Sequence, residues 1–228
     1  MLILLPNLYG EEEDPKRFFS QEVEEAVHLL EVLACESEKS AFLFLSIFFP
    51  KEKARSFPIL IYNEHTKDLT PILEALQLGK KIGLISDAGL PSLADPGNKL
   101  VFLARKKGIE VRVVGSPSAI IKALLLSGFS AQSFSFHGYL PRKEEELKKK
   151  LRSLEKNSKE QTQLFIEAPY RTPKLLKQIL QSLQNETLLC IAQNLSTKDE
   201  IVRTLSVKDW KKIPPLAKGP AIFLLSSQ

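Results

Sequence analysis

The sequence predicts an α/β protein built from two α/β domains, and three observations lead to this class. Short apolar runs alternate with amphipathic stretches of helical length. The chain has 228 residues, 43% of them hydrophobic and 26% charged, which suffices for one large or two small globular domains. The last apolar runs are joined by connections too short for helical crossovers, which predicts antiparallel strands in the second sheet.

Nine apolar runs are the predicted strands, at residues 2–5, 59–62, 82–86, 111–114, 134–136, 163–166, 188–192, 201–207 and 221–225. A turn sequence, Gly115-Ser116-Pro117-Ser118, lies near the midpoint of the chain. Ser116 or Ser118 can cap a helix over residues 119–127. We therefore expect an N-terminal α/β domain of residues 1–114 and a C-terminal α/β domain of residues 115–228 with a mixed sheet.

Charge and cysteine usage narrow the class of protein only slightly. The formal charge of +5 gives a mild preference for a phosphate-bearing partner. Cys35 and Cys190 lie far apart in apolar surroundings, which predicts buried, reduced thiols and no metal site. The first residues lack the basic region of a signal peptide, and the apolar run 41–49 is too short to span a bilayer. We expect a cytoplasmic protein without a membrane segment.

Residues 142–160 are dense in charge, and each of Glu144, Glu145 and Glu146 precedes a lysine by four residues. This spacing favours a solvated helix that packs through a leucine stripe. An alternative is contact with an RNA backbone through exposed cations of this helix, Lys148, Lys149 or Arg152.

The first candidate site is the run from Ser86 to Gly97, which follows a predicted buried strand. Open α/β sheets bind ligands at the carboxyl ends of their strands. Within this run, Asp87 is the better functional candidate, because Asp95 precedes Pro96 and is predicted to cap the next helix. Gly89 allows either a tight turn or the close approach of a ligand to the backbone.

Two further motifs follow predicted strands in the second half. His137, in the segment 136–141, has no recognisable partner and is interpreted as structural. Glu167 and Arg171 follow the strand at 163–166 and either pair with each other or face a ligand. The sequence contains no phosphate-binding loop, dinucleotide fingerprint, serine-hydrolase elbow or zinc-protease motif.

Taken together, seven segments resemble the tetrapyrrole methylase superfamily of S-adenosylmethionine-dependent methyltransferases. Within it, they are most similar to the branch of small-subunit ribosomal RNA 2′-O-ribose methyltransferases. The segments, which run in the family's order from about residue 59 onward, are Asn63-Glu64-His65-Thr66, the Ser86–Gly97 run with Ser86-Asp87-Ala88-Gly89-Leu90-Pro91, Gly115-Ser116-Pro117-Ser118-Ala119, Phe136-His137-Gly138-Tyr139-Leu140-Pro141, Phe165-Ile166-Glu167-Ala168-Pro169-Tyr170-Arg171, Ala192-Gln193-Asn194-Leu195-Ser196-Thr197-Lys198 and Lys218-Gly219-Pro220-Ala221-Ile222.

The resemblance implies two α/β domains with the ligand cleft between them, S-adenosylmethionine as cofactor, RNA as substrate and a homodimer. By the same resemblance, the groups that could remove a proton from the acceptor are Glu167, Lys198 and His65. The substrate side is assigned Asp95 and Arg171. The implied cofactor contacts are Ser86, Asp87, Ala88, Gly89, Pro91, Ser116, Pro117, Ser118, Ala119, Tyr139, Leu140, Gln193 and Pro220.

The chain departs from the ribosomal branch near its amino terminus. The segment Pro6-Asn7-Leu8-Tyr9-Gly10 stands where the branch has a Pro-Ile-Gly-Asn type loop, and Glu36-Ser37-Glu38-Lys39 stands where it has Glu-Asp-Thr-Arg. Two alternatives therefore stay open: methyl transfer to a small molecule such as a tetrapyrrole, and a silent module that binds S-adenosylmethionine.

Overall fold

A computed structural model of the protein describes residues 1–8, 15–115 and 118–227, without the side chain of Arg17. The chain divides into two compact units, Met1–Ser118 and Ala119–Gln228. Each unit contains one five-stranded sheet with helices packed on it.

The first unit is a parallel α/β structure with strand order β3-β2-β4-β1-β5. Its strands are β1 Leu2–Leu4, β2 Val32–Cys35, β3 Ile59–Ile61, β4 Ile82–Leu84 and β5 Val111–Val113. Its helices are α1 Gln21–His28, α2 Glu38–Phe48, α3 Lys51–Ser56, α4 Thr70–Gln77 and α5 Asn98–Lys106, with a short 3₁₀ helix at Pro15–Phe18.

Both faces of this sheet are covered, which explains why its strands are continuous apolar runs. Successive strand residues point to opposite faces, so Ile3 joins one core cluster while Leu2 and Leu4 join the other. On β4, a Cβ at Gly83 would lie 2.6 Å from Cδ1 of Leu30. Glycine at this position therefore lets Leu30 pack directly on the strand.

The second unit has a mixed sheet with strand order β6-β7-β10-β8-β9. The pair β6–β7 is parallel, and the other three pairs are antiparallel. The strands are β6 Phe134–Tyr139, β7 Thr162–Glu167, β8 Leu188–Gln193, β9 Ile201–Ser206 and β10 Ala221–Ser226. The helices are α6 Ala119–Ser127, α7 Glu144–Asn157, α8 Thr172–Ser182 and α9 Val207–Trp210.

Two core clusters cover the faces of this second sheet. One joins α7, α8 and α9 to the sheet through Phe165, Phe223 and Trp210, and the Trp210 indole donates to the carbonyl of Leu189 at 2.8 Å. The other packs α6 against β7, β8 and β10.

The structure confirms the α/β class and the antiparallel end of the second sheet. It also confirms that α7 packs through its leucines, which are Leu147, Leu151 and Leu154. The prediction omitted β2, and the predicted capping by Asp95 is wrong. Helix α5 begins at Asn98, its N-cap is Gly97, and no side chain caps it.

Both cysteines are free and buried, as predicted. Burial raises the pKa of the Cys35 thiol to about 12 and raises that of Cys190 as well. Among the described helices, none is long and apolar enough to cross a membrane. Within the described ranges, no cluster of three or more His, Cys, Asp or Glu side chains could hold a metal ion.

Candidate functional site

Polar groups gather at the carboxyl edge of the first sheet, where β1, β2 and β4 are neighbours. The buried side chain of Asn7, after β1, donates from Nδ2 to the carbonyl of Ser86 at 2.8 Å and to that of Asp87 at 3.3 Å. The backbones of Asn7 and Gly89 exchange two hydrogen bonds, at 2.8 and 3.0 Å. Gly89 has a φ of 72°, a conformation that glycine adopts without strain. The loop after β4 is therefore fixed by the loop after β1.

Three carboxylates lie at this edge, and we call Glu36, Asp87 and Asp95 the carboxylate cluster. The backbone N–H of Asp87 donates to Oε1 of Glu36 at 3.0 Å, and Ser37 donates to Oδ1 of Asp87 at 3.4 Å. Burial raises the pKa of Glu36, and the charge of Asp87 raises it further. Burial, followed by the charge of Glu36, raises the pKa of Asp95 to about 6. The cluster is thus a place where a bound cation would relieve electrostatic repulsion.

The backbone from Ser92 to Gly97, which contains Asp95, is tightly folded. Gly97 has a φ of 155°, and a Cβ there would lie 2.7 Å from Cβ of Ser92. Ser92 itself donates its N–H to the carbonyl of Pro96 at 3.1 Å and has a φ of 71°. Glycine is required at position 97 because this close approach leaves no space for a side chain.

The second unit brings Glu167 and Gln193 to one edge of its own sheet. Both residues are register partners of Ala221, the first residue of β10, which runs between β7 and β8. The Nε2 atom of Gln193 donates to the carbonyl of Ala217 at 2.8 Å. A Cβ at Gly219 would lie 2.7 Å from that same nitrogen, so the 217–220 segment packs directly on Gln193.

Glu167 and Arg171 form an ion pair, with 3.0 Å between Oε2 and Nη2. The Glu167 side chain is fully buried, whereas that of Arg171 is 18% exposed. Oε1 of Glu167 accepts from the backbone N–H of Ala168 at 2.8 Å. Oε2 has no aligned hydrogen-bond donor among the described residues, so its contact with Arg171 is ionic. Glu167 is therefore placed to hold the Arg171 guanidinium.

The remaining predicted site residues are dispersed. Tyr139 is exposed at the end of β6, whereas the next residue, Leu140, is buried in the core. Pro220 is exposed and its carbonyl accepts from the N–H of Asn194 at 3.1 Å. Pro91 is buried in the loop after β4. Ser118 is the last residue of the first unit, Ala119 is the first residue of α6 and of the second unit, and both are half-buried. Ser116 and Pro117 lie outside the described residues.

Two of the predicted proton acceptors are surface groups. The His65 imidazole is 85% exposed and lies 3.4 Å from the Glu64 carboxylate. Lys198 is exposed on the loop after β8. That loop is anchored to α6, because Lys122 contacts Glu200 at 2.7 Å and Ser196 at 3.1 Å.

His137 is held by neighbours on two elements. Its Nε2 lies 2.8 Å from Oε1 of Gln163, and its Nδ1 lies 3.3 Å from Nζ of Lys150. Burial lowers the pKa of His137 and thereby favours the neutral ring.

Sequence reasoning did not assign Asn7, Glu36 and Ser37 to the site, although the structure brings them against Ser86 and Asp87. All three follow strands that flank β4 in the sheet. A polar residue after an apolar strand is the signal that could have found Asn7.

The protein has two α/β units, and polar residues lie at strand ends in each of them. This arrangement is typical of α/β proteins that bind a ligand. Residues 18–210 match the Tetrapyrrole (Corrin/Porphyrin) Methylases. The chain therefore belongs to this family of methyltransferases, which confirms the family predicted from its motifs.

Relatives and solved structures agree with this assignment. The chain is 34% identical over 206 residues to "Ribosomal RNA small subunit methyltransferase I" of Leptospira biflexa, covering 86% of this chain and 80% of that protein. It is 33% identical over 166 residues to the Thermotoga maritima protein of the same name, covering 71% and 73%. Among solved structures, diphthine synthase has a TM-score of 0.67 at 14% identity, with 99% and 89% of the chains covered. The methyltransferase CobJ has a TM-score of 0.61 at 16% identity, with 99% and 93% covered. At these identities the two structures show the fold alone.

Proposed function

We propose that this methyltransferase transfers a methyl group from S-adenosylmethionine to a ribose 2′-hydroxyl of small-subunit ribosomal RNA. The observation that carries the proposal is the similarity to ribosomal RNA methyltransferases, at 33–34% identity over most of the chain. The structural neighbours named uroporphyrin-III-C-methyltransferase and precorrin-6Y methylase are only 16% and 14% identical, so a small-molecule acceptor is not favoured. A ribosomal substrate implies a cytoplasmic protein.

The first unit supports the cofactor part of the proposal. S-adenosylmethionine carries a sulfonium and an ammonium group, and the carboxylate cluster offers anionic partners for a cation. The loop of Ser86, Asp87, Ala88 and Gly89 offers backbone groups at a strand end, which is where α/β sheets hold ligands. The residues present thus fit the cofactor. The contacts proposed on the second unit, Tyr139, Leu140, Gln193 and Pro220, stay predictions.

When bound, S-adenosylmethionine supplies an already activated methyl group. The protein then has to orient the ribose oxygen and accept one proton from it. Glu167, Lys198 and His65 stay our candidates for the proton acceptor. Burial and the ion pair of Glu167 favour a positioning role for it, through Arg171.

We also propose a homodimer, supported by apolar side chains at the surface of both units. Phe102 on α5 is 66% exposed, and Val113 is 64% exposed on β5, the edge strand of the parallel sheet. On α6, Leu125 is 70% exposed. Exposed apolar side chains that form one contiguous patch are typical of surfaces covered by a partner, whereas singly exposed ones are common on monomers.

The cofactor part is tested by calorimetric titration of the protein with S-adenosylmethionine and S-adenosylhomocysteine. We expect micromolar binding that weakens at least tenfold in Asp87→Asn. The matched control is Asp68→Asn, which alters an exposed carboxylate that accepts a hydrogen bond from the N–H of Thr70. Absence of binding to either ligand would contradict the proposal.

A further inference from the structure

A pocket of about 400 Å³ opens on the second unit, formed by the loop after β6 and the first turns of α8. This volume is in the range that accommodates a nucleotide-sized ligand. The residues that line it are Arg142, Tyr170, Arg171, Lys174, Leu175 and Gln178. We call it the cationic pocket.

Helical spacing explains why four of these residues share one surface. Arg171, Lys174, Leu175 and Gln178 follow the i, i+3, i+4, i+7 pattern, with Arg171 as the N-cap of α8. Leu175 is buried in the core, so the apolar floor of the pocket is fixed. Tyr170 precedes the helix and is 64% exposed.

The lining is positively charged. It contains two guanidinium groups and one ammonium group, and the carboxylate of Glu167 pairs with one of them. A guanidinium has five N–H donors, and the pair with Glu167 engages Nη2 of Arg171. The nearby carboxylate of Glu144 is itself paired with Lys148 at 2.7 Å. The pocket therefore favours an anion.

The positive charge of the cationic pocket makes it unsuitable as a binding site for the cofactor. S-adenosylmethionine carries a net positive charge at neutral pH, so the net positive charge of the pocket would repel it. A phosphodiester group is an anion that Arg and Lys bind well, and an exposed aromatic ring at the same site can stack on a base.

We propose that the cationic pocket binds one nucleotide of an RNA strand, with the phosphate between Arg142 and Lys174 and the base against Tyr170. This inference rests on the proposed function, because it places the RNA substrate on the second unit. Arg171, held by Glu167, supplies a fixed donor beside the phosphate.

The test is binding of a fluorescently labelled single-stranded RNA from the small ribosomal subunit, measured by anisotropy between 50 and 200 mM salt. We expect Arg142→Gln/Lys174→Gln to weaken binding about tenfold or more at low salt. The magnitude of the slope of log affinity against log salt should fall by about 0.7, for one phosphate that is no longer neutralised on a single strand. Affinity for S-adenosylmethionine should not change.

The matched control is Lys156→Gln/Lys177→Gln, which removes the same charge from exposed positions of α7 and α8 outside the pocket. We expect it to weaken RNA binding less than threefold. Equal losses in both double variants would overturn the proposal, because the effect would then come from overall charge.

Stacking is tested separately at Tyr170. Tyr170→Phe keeps the ring and should bind RNA like the wild type, whereas Tyr170→Leu should bind about tenfold more weakly. Equal affinities for the two variants would exclude stacking.

The outcomes of these experiments distinguish this inference from the proposed function. Normal RNA methylation and RNA affinity in the pocket variants would overturn the pocket and leave the function standing. Failure of the wild type to bind RNA would overturn both. Binding of a polycarboxylate tetrapyrrole that is lost in the pocket double variant would reassign the pocket to a small acidic acceptor and overturn the RNA assignment.

Discussion

The carboxylate cluster of the first unit and the cationic pocket of the second carry opposite charges and are built in different ways. The first is formed by loops after parallel strands, fixed by backbone hydrogen bonds and by the side chain of Asn7. The second is formed by long side chains on one face of α8. Our proposals assign the cationic groups of the cofactor to the carboxylate cluster and the RNA phosphate to the cationic pocket, a division of ligands between the two sites.

The largest effect on stability is expected at Glu167, beneath the cationic pocket. Glu167→Ala removes the buried partner of Arg171 and leaves a largely buried cation, which should lower the free energy of unfolding by about 3 kcal/mol. Urea denaturation measures it. The control is Glu144→Ala, which breaks an exposed pair with Lys148 and should leave the free energy of unfolding nearly unchanged. Equal effects of the two substitutions would show that burial does not strengthen the Glu167 pair.

A smaller loss is expected at Asn7 in the first unit. Asn7→Ala leaves the buried carbonyl of Ser86 without its donor, which should lower the free energy of unfolding by about 1–2 kcal/mol. Because Asn7 also fixes the loop that carries Asp87, the affinity for S-adenosylmethionine should fall as well. Calorimetric titration measures that affinity. Unchanged RNA binding in the same variant would support the division of ligands. A loss of RNA affinity equal to that of the cofactor would contradict it.

The pH dependence of cofactor binding sharpens the comparison further. The pKa of Asp95 is raised to about 6, so this carboxyl is protonated at pH 5 and charged at pH 7.5. A cationic ligand prefers the charged form, so affinity should rise about fivefold between these values. Without ligand the sign is opposite: the folded protein binds the extra proton, so stability falls as pH rises from about 4 to 6. Asp95→Asn should remove the pH dependence of cofactor affinity and that of stability. If either pH dependence is unaltered in this variant, Asp95 is not its source.

The smallest effect on either site is expected from changes at the exposed apolar residues. Phe102→Glu or Leu125→Glu should convert the proposed dimer to a monomer in light scattering while leaving cofactor affinity within about twofold. Leu43→Glu, at a singly exposed leucine of α2, is the control and should leave the mass unchanged. A wild-type monomer would remove the dimer proposal.

Much of the fold follows from the sequence because its signals are local. Apolar runs mark nine of the ten described strands, and the leucine spacing of α7 marks its buried face. Strand β2 was missed because only three residues separate Val32–Cys35 from the last residue of α1, with no glycine or proline among them to mark a turn. The predicted Asp95 cap is wrong because the backbone turns at Gly97 and α5 begins only at Asn98.

The sites depend on strand order, which no local pattern contains. The sheet places β4 between β2 and β1, so Glu36 and Asn7 reach the Asp87 loop across long sequence separations. The cationic pocket likewise joins Arg142 to Lys174 from separate elements. Glu167 and Arg171, in contrast, are four residues apart, and their pairing could be foreseen.

The most direct test is to incubate the protein with S-adenosylmethionine labelled in its methyl group and small ribosomal subunits that lack ribose methylation. The account predicts label in the RNA, at a ribose 2′-oxygen, with transfer lowered in both Asp87→Asn and Arg142→Gln/Lys174→Gln. Label on a base would show that the methyl group is transferred to a base and not to the ribose 2′-oxygen. Absence of label in ribosomal RNA, from protein that binds the cofactor, would contradict the proposed acceptor.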